Sequence, residues 1–179
     1  MPWKRATVMA STLPQTAIFP FTRSSERETH FRWLVRLYHE DIAFMSTRGW
    51  AALDQPEQLH RARIGVLRGS AQLQPLREAG YRRLVECANV SECVRFEHMG
   101  IVDAVVGNKA IYGDAARLAG INDVQIAFGP QVAVTETWLA GSLDFTEAQA
   151  AQFQQAMKEM IEDGSYARIL KKYELTPMP

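Results

Sequence analysis

Between Arg63 and Asn108 the chain reads RIGVLRGSAQLQPLREAGYRRLVECANVSECVRFEHMGIVDAVVGN, and this alternation of short apolar runs with helical segments leaves few folds open. Ile64 to Leu67 is short, apolar and bounded by polar residues, as a strand buried on both faces of a parallel sheet requires. Gly69 and Ser70 end it. A glycine and a small hydroxyl between the carboxyl end of a strand and a following helix present backbone N–H groups, the arrangement by which open α/β sheets hold anions. Tight-turn sterics place Gly-Ser at many such junctions that hold nothing, so this pair alone names no function. Asn89 and Glu92 form a capping-box-like pair before a helix ending at Gly100, and VDAVV then returns as a strand. Strand, glycine turn, helix, strand, helix, strand is the order of an α/β lobe.

A chain of 179 residues, 47% apolar and 22% charged, has room for one ordinary core or two small lobes. Lys plus Arg and Asp plus Glu both number 20, so no global field draws the chain to nucleic acid or to an anionic membrane. Its apolar runs fall short of the roughly 18 residues of a spanning helix, which argues against direct membrane insertion. Lys4 and Arg5 followed by ATVMASTLPQTA superficially suggest a secretory leader. That stretch is broken by Pro14 and is too poor in Leu, Ile and Phe for a leader's apolar core. Cys87 and Cys93 fall at a strand end and in a first helical turn; their spacing permits a disulfide without requiring one, and two buried free thiols are the preferred expectation. The four histidines lack metal-ligand spacing, and no HExxH, P-loop or GxSxG is present. No catalytic residue, metal or cofactor is therefore assigned.

Along the chain, a helix is expected over Trp3–Ser11 and strands over Ala17–Phe21, Phe31–Tyr38 and Ile42–Thr47. Asp54 is placed to cap a short helix that opens with Pro56 and Glu57. Gly129 and Pro130 punctuate the end of the middle region, and Val132–Thr137 follows as a strand. Thr146 with Gln149, the stripe Phe153, Met157, Met160 and Ile161, and Gly164 mark a terminal helix from start to stop. The expected organisation is 1–53, 54–130 and 131–179, with the outer segments forming one lobe and the middle another. Two crossings make a hinge, and the cleft between lobes is the expected binding site.

The order of these motifs resembles that of extracytoplasmic solute-binding proteins, in particular the amino-acid-binding branch of transporter substrate-binding proteins. RIGVLRGS and the later VDAVV resemble the second lobe of that family, AIFPFTRSSERETHFRW its carboxylate-gripping loop, and IEDGSYARILKKYEL its closing helices. PWKRATVMAS is similar to a helix inside the first lobe. The resemblance implies an α/β fold of the periplasmic-binding-protein type (type II), two lobes with a hinge, the first lobe incomplete at its N-terminal part. It also implies a receptor that binds a small carboxylate-bearing, amino-acid-like solute and serves a membrane transporter or a sensor in the periplasm. A cytoplasmic location would follow if the chain's start is genuine.

By the same resemblance Arg27 in SSER is the residue that grips a ligand carboxylate through its planar fork. Thr22, Gly69 and Ser70 would add hydroxyl and backbone donors. Asn108 stands where the family usually has an aspartate that pairs with a ligand ammonium, so a formal charge is lost there. Ala71, Pro20 and Ile101 are further departures, and Asp103 reads as structural. Two alternatives accompany the receptor reading: a truncated or degenerate relative acting as an oligomeric structural protein, and a dehydratase-like enzyme, since a few proteins of this fold are dehydratases. A truly truncated first lobe would leave an unpaired strand edge and favour a homodimer.

Overall fold

Local sequence signals and strand pairing share the work of defining the elements in the computed structural model, which describes residues 1–49 and 53–177. Residues 50–52, in the expected segment 1–53, and 178–179, at the end of the expected segment 131–179, lie outside them. Helix α1 spans Trp3–Thr12, strand β1 Ala17–Thr22 and strand β2 Arg32–Ser46. Then come α2 (Pro56–Arg61), β3 (Ile64–Leu67), α3 (Leu73–Glu78), β4 (Leu84–Cys87) and α4 (Val90–His98). Strand β5 (Ala104–Asn108) leads into α5 (Lys109–Leu118), and β6 (Ala127–Gly141), α6 (Glu147–Glu162) and α7 (Ser165–Lys172) complete the order.

Three expectations are corrected. The strands expected at 31–38 and 42–47 are one continuous β2, because pairing with neighbours, not the weak strand preference of His39, Glu40 and Asp41, decides where a strand stops. For the same reason Gly129 and Pro130 do not end an element but lie near the start of β6. The cap of α2 is Gln55 rather than Asp54, since Pro56 sets the first helical position.

The chain forms two units. The first comprises residues 1–4 and 41–134, and its strands lie in the order β4-β3-β5-β2. Strand β3 is parallel to both neighbours, Ile64 standing opposite Leu84 on one side and Ala104 on the other. The end of β2 closes this sheet antiparallel to β5, with Ile42 opposite Asn108. Period-2 alternation sends Ile64, Val66, Ala104 and Val106 to one face, against Leu59 of α2 and Leu76 of α3. Val105 and Met45 go to the other face, against Val94 of α4 and Tyr112 and Ala116 of α5. Both faces are thus covered, and the fully buried Ile64 and Val66 contribute about 1.5–3 kcal/mol each. Gly107 is needed in β5 because a Cβ there would fall inside the Tyr112 ring.

Cys87 and Cys93 form a disulfide, with Cα atoms 5.3 Å apart, inside this second cluster. Free thiols were the preferred expectation. Six residues of separation left both states open, and the tertiary packing that turns the first helical turn of α4 back onto the end of β4 brings the sulfurs together. Arg63 and Asp103, just before β3 and β5, hold each other: Asp103 Oδ2 accepts the Arg63 backbone N–H at 2.8 Å while the two side chains form an ion pair. Asp103 is structural, as read from the sequence. At the other side of the unit, Glu97 of α4 is wholly buried. Its carboxylate accepts from Ser46 Oγ at 2.7 Å and from Thr47 N at 3.0 Å and lies 3.5 Å from Arg48 Nε. This network fixes the end of β2, and nothing in the spacing of FEHMG announces it.

The second unit comprises residues 5–40 and 135–177 of the described chain, with strand order β1-β6-β2. Strand β1 runs antiparallel to β6, Ala17 opposite Gly141 and Thr22 opposite Thr137, with a register shift between Ile18 and Phe21. Leu34 of β2, Phe145, and Ala150 of α6 form one buried cluster in it. Thr146 and Gln149 make a reciprocal capping box at the start of α6, Gln149 N donating to Thr146 Oγ1 at 3.2 Å and Thr146 N to Gln149 Oε1 at 2.8 Å. Gly164, at φ 76°, ends α6 and opens α7 in the left-handed region that favours glycine. Of the expected stripe, Met157 and Met160 are partly buried whereas Phe153 and Ile161 are exposed, and Ala150 is the buried residue of α6.

Candidate functional site

Open α/β sheets hold ligands outside the carboxyl ends of their parallel strands, and in the first unit that edge gathers three expected residues. Ser70 N donates to Leu67 O at 3.0 Å, so β3 ends in a tight turn with Gly69 at φ 76°. This corrects part of the expected backbone cradle, because the Ser70 N–H is consumed by the turn. The Ser70 hydroxyl is buried without a hydrogen-bond partner. One strand over, Asn108 ends β5 and caps α5, its Oδ1 accepting from Ile111 N at 2.8 Å. Asn108 is only 8% exposed. Gly69 leaves room for Lys4: a Cβ at position 69 would come within 3.2 Å of Lys4 Cδ.

The acidic residues along this edge are engaged by donors of their own unit. Glu86, the acidic residue of β4, is bound by Arg68 at 3.3 Å and Arg77 at 3.4 Å. Glu92, in the first turn of α4, turns back to accept from Ala88 N at 2.6 Å. No acidic residue stands in the first turn of α3 or α5.

Thr22 and Arg27 belong to the second unit. Thr22 ends β1, and Arg27 closes a short 3-10 turn over Ser25–Arg27. The guanidinium of Arg27 donates from NH1 to Thr22 O at 2.8 Å and lies 4.1 Å from the centre of the Phe21 ring. Burial lowers its pKa to about 10, which leaves it a cation at neutral pH. A guanidinium that is oriented by a carbonyl and an aromatic face loses little freedom on meeting a carboxylate. The structure thus links Thr22 with Arg27 in one unit, and places Gly69, Ser70 and Asn108 on one edge of the other.

Sequence reasoning did not single out the aromatic cluster beside Arg27. Arg23 lies over the Trp33 and Trp138 rings at 5.3 and 4.9 Å and pairs with Glu28. Trp138 Nε1 donates to Glu136 at 3.1 Å, and Glu136 pairs with Arg36 at 2.8 Å. The Arg36 hydrogen bond, followed by that from Trp138, holds the Glu136 carboxyl below its ordinary range. Trp33 between Arg32 and Arg36 in FRWLVR was the available signal. Among the described residues no group of three or more His, Cys, Asp or Glu side chains is arranged to hold a metal, and no helix is long and apolar enough to cross a membrane.

No protein-family model matches the chain, and no curated protein sequence does either. Solved structures do. A histidine kinase sensor domain with similarity to periplasmic binding proteins superposes with a TM-score of 0.86 at 15% identity, over 99% of this chain and 78% of that one. An ancestral arginine-binding protein bound to glutamine gives 0.83 at 20% identity, over 97% and 77%. The arginine-, lysine-, histidine-binding protein ArtJ from Geobacillus stearothermophilus gives 0.82 at 15% identity, over 96% and 75%. The chain has a periplasmic-binding-protein-like fold, as its motif order implied.

Proposed function

We propose that the chain is a ligand-binding receptor of the solute-binding-protein type, taking a small carboxylate-bearing solute for transport or sensing. The observation that carries this reading is the superposition of almost the whole chain on proteins described as amino-acid-binding. Arg27, oriented beside Thr22 and Phe21, supports it as an anion clamp of the second unit, and Ser70 and Asn108 are proposed as contact residues of the first. A membrane transporter or a sensor kinase is the partner this reading implies, and binding rather than catalysis is the activity. The Cys87–Cys93 disulfide supports an oxidising, extracytoplasmic setting.

Thermal unfolding of the purified protein against amino acids and small carboxylic acids tests it. A ligand at a hundred times its Kd stabilises the fold by about 2.7 kcal/mol, which raises Tm by about 5–10 °C for a chain of this length. Arg27→Ala is expected to abolish the shift while the variant still unfolds cooperatively. Absence of any shift across the panel, or a shift unchanged in Arg27→Ala, overturns the reading.

A further inference from the structure

The carboxyl edge of the first unit is built of donors. Asn108 spends its Oδ1 on the N–H of Ile111, so the group it has left is the Nδ2 amide, a donor with no partner among the described residues. The Ser70 hydroxyl is buried and unpartnered. The backbone N–H groups of Ala71 and Gln72, between the Ser70 turn and α3, likewise have no acceptor among the described residues. The acceptors that might balance them are engaged: Glu86 by two arginines and Glu92 by the Ala88 N–H.

A second observation points the same way. Lys109 occupies the first position of α5, where the helix dipole presents its positive end, and no acidic residue in that turn offsets it. Its ammonium lies 5.5 Å from the centre of the Phe128 ring, which stabilises a cation but supplies no formal charge. An anion at this edge would meet the Asn108 amide, the helix terminus and the lysine together, whereas an ammonium would meet the same positive charges and, of this set, could be accepted by the Ser70 hydroxyl alone.

We infer that this edge takes an oxygen-acceptor group, so that the solute is an organic acid without a free ammonium, such as a dicarboxylate or a 2-hydroxy acid. This rests on the receptor reading above and narrows it. Twin ligands that differ only in the amine separate the two: L-glutamate against glutarate and 2-hydroxyglutarate, and L-alanine against lactate, each measured by calorimetry on the full chain. The amine-free member of a binding pair is expected to bind tighter by about tenfold, the scale of one charge-assisted hydrogen bond. Asn108→Asp preserves the helix cap, because aspartate caps as well as asparagine, and is expected to reverse the preference towards the amino acid. Tighter binding of the amino acid by the unaltered protein overturns the inference and leaves the receptor reading standing. An unchanged preference in Asn108→Asp overturns the assignment of this edge. Binding of neither member, with the protein folded, overturns both readings.

Discussion

Single residues in this chain are constrained by what their neighbours leave open. Gly107 is the sharpest case, since the ring of Tyr112 occupies the space its Cβ would need. Gly107→Ala is expected to lower stability by about 1–3 kcal/mol through overpacking, measured by urea denaturation. Tyr112→Leu alone should also destabilise, yet the double variant should be more stable than the sum of the two losses predicts; strict additivity would show that the contact is not the cause. Gly107 was legible only as a glycine in a strand, because the ring that requires it comes from the following helix. Glu97 was not legible at all. Its burial depends on Ser46 and Thr47, some fifty residues earlier in the chain, and no local pattern encodes a partner at that distance.

Elements were legible where the signal was local. The capping box of Thr146 and Gln149, the Asn89 cap and Gly164 all appear where the sequence put them, because caps and left-handed turns are satisfied within four residues. Strand ends were misread where pairing overrode propensity, as in β2 and β6. The junction of β4 and α4 is stapled by Cys87–Cys93. Closing a loop this short is worth about 2 kcal/mol through the unfolded chain, so the Cys87→Ala, Cys93→Ala double variant should lose at least about that much. Because β4 is an edge strand, hydrogen exchange should rise first in Leu84–Cys87. Equal protection of β4 with and without the bridge would show that packing alone holds the edge.

At the scale of the whole molecule, stability should fall at both ends of the pH range for different reasons. Asp103 is held below its ordinary value, chiefly by its hydrogen bond to Arg63, and Glu136 by Arg36. Such carboxylates stabilise the folded state above their unfolded pKa values, and the contribution is lost as pH falls through their folded ones. Glu40 is the opposite case: burial raises its pKa, so the folded state prefers it protonated and stability is lost as pH climbs from the ordinary glutamate value through the raised one. Glu40→Gln is therefore expected to raise Tm at pH 7–8 and to converge on the unaltered protein near pH 4, as followed by thermal unfolding across that range. A variant that is less stable at neutral pH would show that the charged form of Glu40 is the one the fold needs.

The sequence by itself determined the α/β class, the order of motifs and the caps of α4 and α6. Those properties rest on periodicity and on contacts between residues close in the chain. Tertiary structure alone decided that Cys87 meets Cys93, that Glu97 is buried with partners, and that β2 runs unbroken through Glu40. It also decided that Asn108 turns its oxygen to the N–H of Ile111 in its own helix. Each of these depends on which distant backbone or side chain arrives alongside, and a linear pattern carries no record of that.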